Sequence, residues 1–193
     1  MIRPKLIIFA KAPRIGKAKT RLAANIGKSH AQRLYKAMTA RVIRNVQSPK
    51  WDTELAITPA GWLGRIPAWR GMVQRPQVNG SLSPRLAHVF SSRGPIVVIG
   101  TDCPEVNASD IAQAFQTLKT HQAVFGPADD GGFWLIGLNG PVDPAVFENI
   151  RWSTEDTLAD IAKNISGDIA HLRTLTDVDN LEALTKVRSR FRF

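Results

Sequence analysis

The chain is short of several things that would otherwise suggest a function. It has one cysteine, Cys103, in 193 residues. A single thiol excludes an intrachain disulfide framework and a cysteine-based zinc cluster. Its longest apolar runs are Leu6-Ile7-Ile8-Phe9-Ala10 and Ile96-Val97-Val98-Ile99, far too short to cross a bilayer. The N-terminal run is also too short for the core of a signal peptide, so the expected location is the cytoplasm, with no membrane partner. No internal repeat or low-complexity tract is present.

Acids are nearly missing from residues 1–100. That stretch holds 18 Lys and Arg but only Asp52 and Glu54, whereas residues 101–193 hold 8 Lys and Arg against 14 Asp and Glu. The net charge of +10 therefore hides a basic half and an acidic half. A basic half suggests an anionic partner and an acidic half a cation. A site that needs both is a metal–phosphate site.

Short apolar runs alternate with helical patterns, which predicts an α/β domain with a mostly parallel sheet, one domain over 1–193. Strands are expected at 5–10, 53–58, 72–75, 95–100, 123–126, 133–138 and 169–175. Helices are expected at 29–46, 82–91, 107–119, 153–165 and from 179 onward. Ser29 with Gln32, Asn107 with Asp110, Ser153 with Asp156, and Asp179 with Glu182 are the expected helix caps. The stretch 59–70, rich in Gly, Pro and Trp, reads as an irregular surface segment. The run Val97-Val98-Ile99 shows no polar alternation, as a strand covered on both faces should.

Five motifs carry candidate chemistry. The first follows the first strand: Lys11, Arg14, Lys17, Lys19 and Arg21, with Gly16 and Thr20 among them. Ligands of open α/β sheets bind beyond the carboxyl ends of the strands. Cations there can meet phosphates, Lys as a point charge and Arg as a fork, and Gly16 would let the backbone approach an anion. This is not a P-loop, because Lys11 and Ala18 stand where that motif has its first Gly and its Ser or Thr. Nor is there a Gly-x-Gly-x-x-Gly. The second motif is Gly100-Thr101-Asp102-Cys103-Pro104. Asp102 is a candidate Mg²⁺ ligand just past a buried strand, and Cys103 reads as a packing residue. The third is Asp129-Asp130-Gly131-Gly132, whose acids suit a metal or a substrate hydroxyl, though Asp130-Gly131 alone also reads as a hairpin turn. The fourth is Trp152-Ser153-Thr154, a helix start whose N–H groups could receive an anion. The fifth is Asp177-Val178-Asp179, with Asp179 read as a helix cap or a second metal ligand.

In that order, these motifs resemble an uncharacterised GT-A-like family of the nucleotide-diphospho-sugar transferase superfamily. The family is similar to the guanylyltransferases of molybdenum cofactor and of 2-phospho-lactate. The resemblance covers nearly the whole chain and implies a GT-A, Rossmann-like three-layer sandwich. It also implies that Lys11, Lys19 and Arg21 face phosphates, that Asp102 holds Mg²⁺ or Mn²⁺, and that Asp130 and Asp179 lie near the same cleft. Lys19 and Asp130 are the candidate catalytic groups, and Arg85 a further nucleotide contact. One stretch departs from the pattern. Where the family tends to show Gly-Asp-Leu-Gly and then Arg, this chain has Gly80-Ser81-Leu82-Ser83-Pro84-Arg85, so Ser81 and Ser83 put the acceptor side in question.

The leading expectation is a metal-dependent transferase using a nucleoside triphosphate or a nucleotide-sugar and an unknown acceptor. The alternatives are a basic nucleic-acid-binding protein, for which no reading motif is present, and an inactive scaffold of the same fold, for which Ser81 and Ser83 are the only support.

Overall fold

The computed structural model describes residues 2–188. Seven strands form one sheet: β1 (Lys5–Lys11), β2 (Asp52–Thr58), β3 (Val73–Pro76), β4 (Gly94–Ile99), β5 (Ala123–Pro127), β6 (Phe133–Gly140) and β7 (Ile169–His171). Their spatial order is β3-β2-β1-β4-β6-β5-β7. All neighbours run parallel except β6, which is antiparallel to both β4 and β5. The expected mostly parallel α/β sheet is therefore present.

Among the described residues six α-helices complete the fold: α1 (Thr20–Ile26), α2 (Lys28–Asn45), α3 (Leu82–Phe90), α4 (Ala108–Thr117), α5 (Thr157–Lys163) and α6 (Leu181–Arg188). One face of the sheet buries Leu6, Ile8, Leu55, Val97 and Ile99 against Val42 of α2, Val46 at its C-cap, and Ile111 and Phe115 of α4. The other buries Ile7, Ile96, Val98 and Ile136 against Leu86 and Phe90 of α3 and Ile161 of α5. Strand pleating sends alternate residues of β1 and β4 to opposite faces, and both faces are covered. That is why Ile96–Ile99 is apolar at every position and almost fully buried. A smaller cluster joins Leu22 of α1, Leu34 and Met38 of α2, and Leu184 and Val187 of α6 around Val178.

Several sequence expectations need correction. Thr20 and Arg21, expected among the cations that follow the first strand, open helix α1. Helix α2 begins at Lys28 behind Gly27, with no side-chain cap, and Gln32 instead donates to the Pro13 carbonyl. Ser153 does not cap a helix: its φ is 63° and α5 starts at Thr157. Asp179 does not cap α6, because Asn180 accepts from the Ala183 N–H. Strand β7 is shorter than expected, ending at His171, with one further bridge from Leu175 to Ala128. The segment 59–70 is not all surface, since Ile66 and Trp69 are buried in the core. The cap of α4 is as expected, with Asn107 accepting from the Asp110 N–H and Asp110 accepting from the Asn107 N–H.

Candidate functional site

The site forms where the carboxyl ends of β1 and β4 meet the segment between β7 and α6. Lys19 precedes α1 with φ 53° and ψ 50°, a left-handed conformation costing a non-glycine residue about 1 kcal/mol or more. Its side chain is only 3% exposed, and its ammonium lies 2.7 Å from Asp102, 3.7 Å from Asp177 and 3.8 Å from Asp179. Burial alone would pull the Lys19 pKa down, but the three carboxylates outweigh it and hold the group charged above its ordinary value.

The backbone explains why three distant acids converge. Leu175 N–H donates to the Pro127 carbonyl, Asp129 N–H to the Leu175 carbonyl, and Val178 N–H to the Asp102 carbonyl. The segment 175–178 is thereby stitched across the ends of the strands. Val178 is fully buried. The Asp179 N–H turns back to the Asp177 carbonyl, and the carboxylates on either side of Val178 both come within 4 Å of the Lys19 ammonium. Arg21 closes the outer side, its Nη1 donating to Asp179 Oδ2 at 3.1 Å. Asp177 is pushed up to about 7, by burial first and then by Asp102, with Lys19 opposing and Asp130 and Asp179 adding to the rise. Its Oδ1 is buried without a hydrogen-bond donor.

The remaining expected residues surround this cluster or lie apart from it. Lys11 exchanges two 2.9 Å hydrogen bonds with the Tyr35 hydroxyl through its backbone, and its side chain is exposed, as are Arg14, Lys17, Thr20 and Arg21. Gly16 takes φ 71°, a left-handed turn that glycine adopts without strain. Asp129 Oδ1 accepts from the Asp177 N–H, and Asp130 Oδ1 from the Gly132 N–H. Gly131 has φ 84°, and a Cβ there would collide with the Glu155 backbone. Trp152 donates its indole N–H to Ser83 Oγ at 2.9 Å and packs edge-on to Phe133, while Ser153 and Thr154 are exposed. Ser83, one of the two departures from the family pattern, thus ties α3 to the Trp152 segment. Arg85 lines a separate cavity under α3. The Cys103 thiol is raised well above its ordinary value, chiefly by burial, consistent with a packing role.

Sequence reasoning named Asp179 but passed over Asp177. The signal was available in the alternation of two acids about one buried apolar residue. Among the described residues no group of three His, Cys, Asp or Glu side chains is arranged to hold a metal ion. The donor set nevertheless suits a hard cation. It consists of carboxylate oxygens only, one of them buried and undonated, which is the chemistry Mg²⁺ and Mn²⁺ prefer.

The strand order, the single antiparallel strand and the site at the strand ends define a nucleotide-diphospho-sugar transferase fold of the Rossmann-like GT-A type. Residues 39–154 match the family described as "Uncharacterized protein conserved in bacteria (DUF2064)", and the chain belongs to it. No curated protein matches it significantly. Among solved structures it is similar to a protein of Desulfovibrio desulfuricans G20 provisionally named a nucleotide-diphospho-sugar transferase. The two share 26% identity at a TM-score of 0.87, over 98% of this chain and 87% of that one. It shares its fold with Rv0371c of Mycobacterium tuberculosis H37Rv, solved in complex with manganese (15% identity, TM-score 0.58, 98% of this chain and 100% of that one). It also shares its fold with CMP:2-keto-3-deoxy-manno-octonic acid synthetase, solved with CTP (13% identity, TM-score 0.57, 98% of each chain). No helix among the described residues is long and apolar enough to cross a membrane.

Proposed function

We propose that the protein is a metal-dependent transferase acting at the phosphate of a nucleotide or at the sugar that the phosphate carries. The observation that carries this reading is the buried, strained Lys19 with its ammonium among three carboxylates at the strand ends. A folded protein tolerates a left-handed lysine and crowded acids where the arrangement is used. Lys19 and Arg21 supply fixed positive charge for the nucleotide's phosphates, with Lys11 at the mouth of the same loop. Asp102 and Asp179, with Asp177 beside them, would hold Mg²⁺ or Mn²⁺. When bound, that ion supplies Lewis-acid neutralisation of phosphate charge.

The chain's own residues account for the rest. Lys19 and Arg21 stabilise charge that accumulates on the departing phosphates. Asp130, steadied by the Gly132 N–H, receives the proton of the acceptor hydroxyl. Asp129, Gly131 and Gly132, with Trp152, Ser153 and Thr154, form the acceptor side. In nucleotidyl transfer the acceptor oxygen bonds to the α-phosphorus, the bond to the β-phosphate oxygen breaks, and pyrophosphate leaves. In glycosyl transfer the bond forms at the sugar carbon and a nucleoside diphosphate leaves. The test is product analysis on metal-loaded protein with nucleoside triphosphates, nucleotide-sugars and candidate acceptors. Pyrophosphate identifies the first reaction, and nucleoside diphosphate with a transferred sugar the second. Absence of both binding and turnover with all of them would overturn the proposal in favour of an inactive scaffold.

A further inference from the structure

A cavity of about 240 Å³ opens between α3 and strands β1, β2 and β3, on the sheet face opposite α2 and α4. No residue of the segment 11–21, and none of Asp102, Asp177 or Asp179, lines it. Pairing register explains its make-up. Phe9 stands beside Ala56, and Ala56 beside Arg75, so all three present side chains to one face. Its walls combine an apolar floor with cationic groups. Glu54 is the one acid in the lining, and it is paired with Arg75, leaving Lys5 and Arg85 in excess.

Arg85 supplies the decisive detail. Its Nη1 donates to Gln77 Oε1 at 3.0 Å, but its Nε is buried with no hydrogen-bond partner. A buried guanidinium N–H without an acceptor carries a desolvation penalty that a native structure rarely leaves uncompensated. We infer that this cavity is a second ligand site, taking a compact organic anion whose carboxylate or phosphate meets Arg85 and whose apolar body lies on Phe9 and Ala56. A guanidinium recognises both oxyanions through the same fork. The volume suits a single-ring molecule, since a benzene-sized ligand fills an apolar cavity of about 150 Å³. Gln77 also donates to the Ala56 carbonyl at 2.7 Å and, at 3.5 Å, to the carbonyl of Ala10. Ala10 directly precedes Lys11 in the chain. An occupant on Arg85 is thus one side chain away from the root of the Lys11–Arg21 loop.

The test uses benzoate, phenyl phosphate and the neutral isostere benzyl alcohol, titrated into the full chain. Calorimetry gives affinities, and amide chemical shifts map the site. Binding of at least one anion is expected, with shifts concentrated at 54–56, 75–78 and 85–92. Arg85→Met should weaken it tenfold or more, and Lys19→Met should leave it unchanged. Ala56→Phe, which fills the floor, should abolish binding while thermal unfolding stays cooperative, so a misfolded Arg85 variant would not obscure the result. Preference for phenyl phosphate over benzoate, or the reverse, identifies the head group. Absence of binding by both anions, equal binding of benzyl alcohol, or shifts confined to 11–21 and 102 would overturn the inference.

Discussion

The Val178 N–H donates to the Asp102 carbonyl over 3.0 Å, and this backbone bond joins the two acid-bearing segments of the site. It aligns the segment carrying Asp177 and Asp179 with the end of β4, so that Lys19 meets carboxylates from two remote parts of the chain. The stability of that arrangement and its chemistry are therefore linked.

Lys19→Met should destabilise the fold by roughly 2–4 kcal/mol, because removing the cation leaves the acids facing one another. The value is set below the range for a fully buried pair because the carboxylates are partly exposed. Urea unfolding measures it. Mg²⁺ should recover part of the loss in this variant, and no recovery would argue against the carboxylates as a cation site.

Asp102→Asn should retain the fold and lose metal-dependent nucleotide binding. Calorimetry with a nucleoside triphosphate, with and without Mg²⁺, decides this. Affinity equal to that of the parent would remove Asp102 from the proposed ligand set.

Asp177 gives the site a pH signature. Its folded pKa of about 7 lies above the ordinary 3.8, so the native state holds a proton there that the unfolded chain has released. The resulting stabilisation is complete below about pH 4 and is lost as pH rises through 7. Asp177→Asn should accordingly flatten the decline in stability between pH 4 and 7, as read from denaturation at a series of pH values. An unchanged slope would show that Asp177 ionises normally.

Gly131→Ala should cost about 2 kcal/mol or more, because φ 84° is unfavourable for alanine and the new Cβ meets the Glu155 backbone. The melting temperature should fall, and acceptor affinity should fall more than nucleotide affinity. Equal losses would place the 129–132 turn on the nucleotide instead.

Nucleic acid should bind only nonspecifically. The basic half attracts polyanions through counterion release, so affinity should collapse as salt rises. Binding of one sequence that survives elevated salt would contradict the transferase reading.

The sheet was legible in the sequence because its signals are large. The run Val97-Val98-Ile99 has no use except between two covered faces, and Asn107 with Asp110 keeps its reciprocal cap although Asp110 is also paired with Arg173. The failures have a common physical cause, which is that tertiary contacts claim side chains that local rules assign elsewhere. Gln32 turns to the Pro13 carbonyl instead of capping α2. The Asp179 carboxylate is taken by Arg21 and lies near Lys19, which leaves the capping of α6 to Asn180. Helix α1 was hidden because, among the residues 20–26, only Leu22 is buried and the surrounding cations dominate the pattern. Trp69 was misread because composition marked 59–70 as a loop, whereas short 3-10 turns fold it beneath β2 and α2. In the site, the cations and Asp102 could be named from motif and position. Their convergence on Asp177 depends on hydrogen bonds between segments far apart in the chain.

Arg21 and Asp179 are 158 residues apart, and that separation has a consequence for biogenesis. Synthesis delivers the N-terminal half first, so Lys19 and Arg21 leave the ribosome long before the acids that will neutralise them. While residues 1–100 are being made, the nascent chain holds 18 Lys and Arg against two acids beside ribosomal RNA. The cations of the site meet their carboxylates only once Asp177 and Asp179 have been made, so the cleft cannot close before the segment that carries them joins the strand ends.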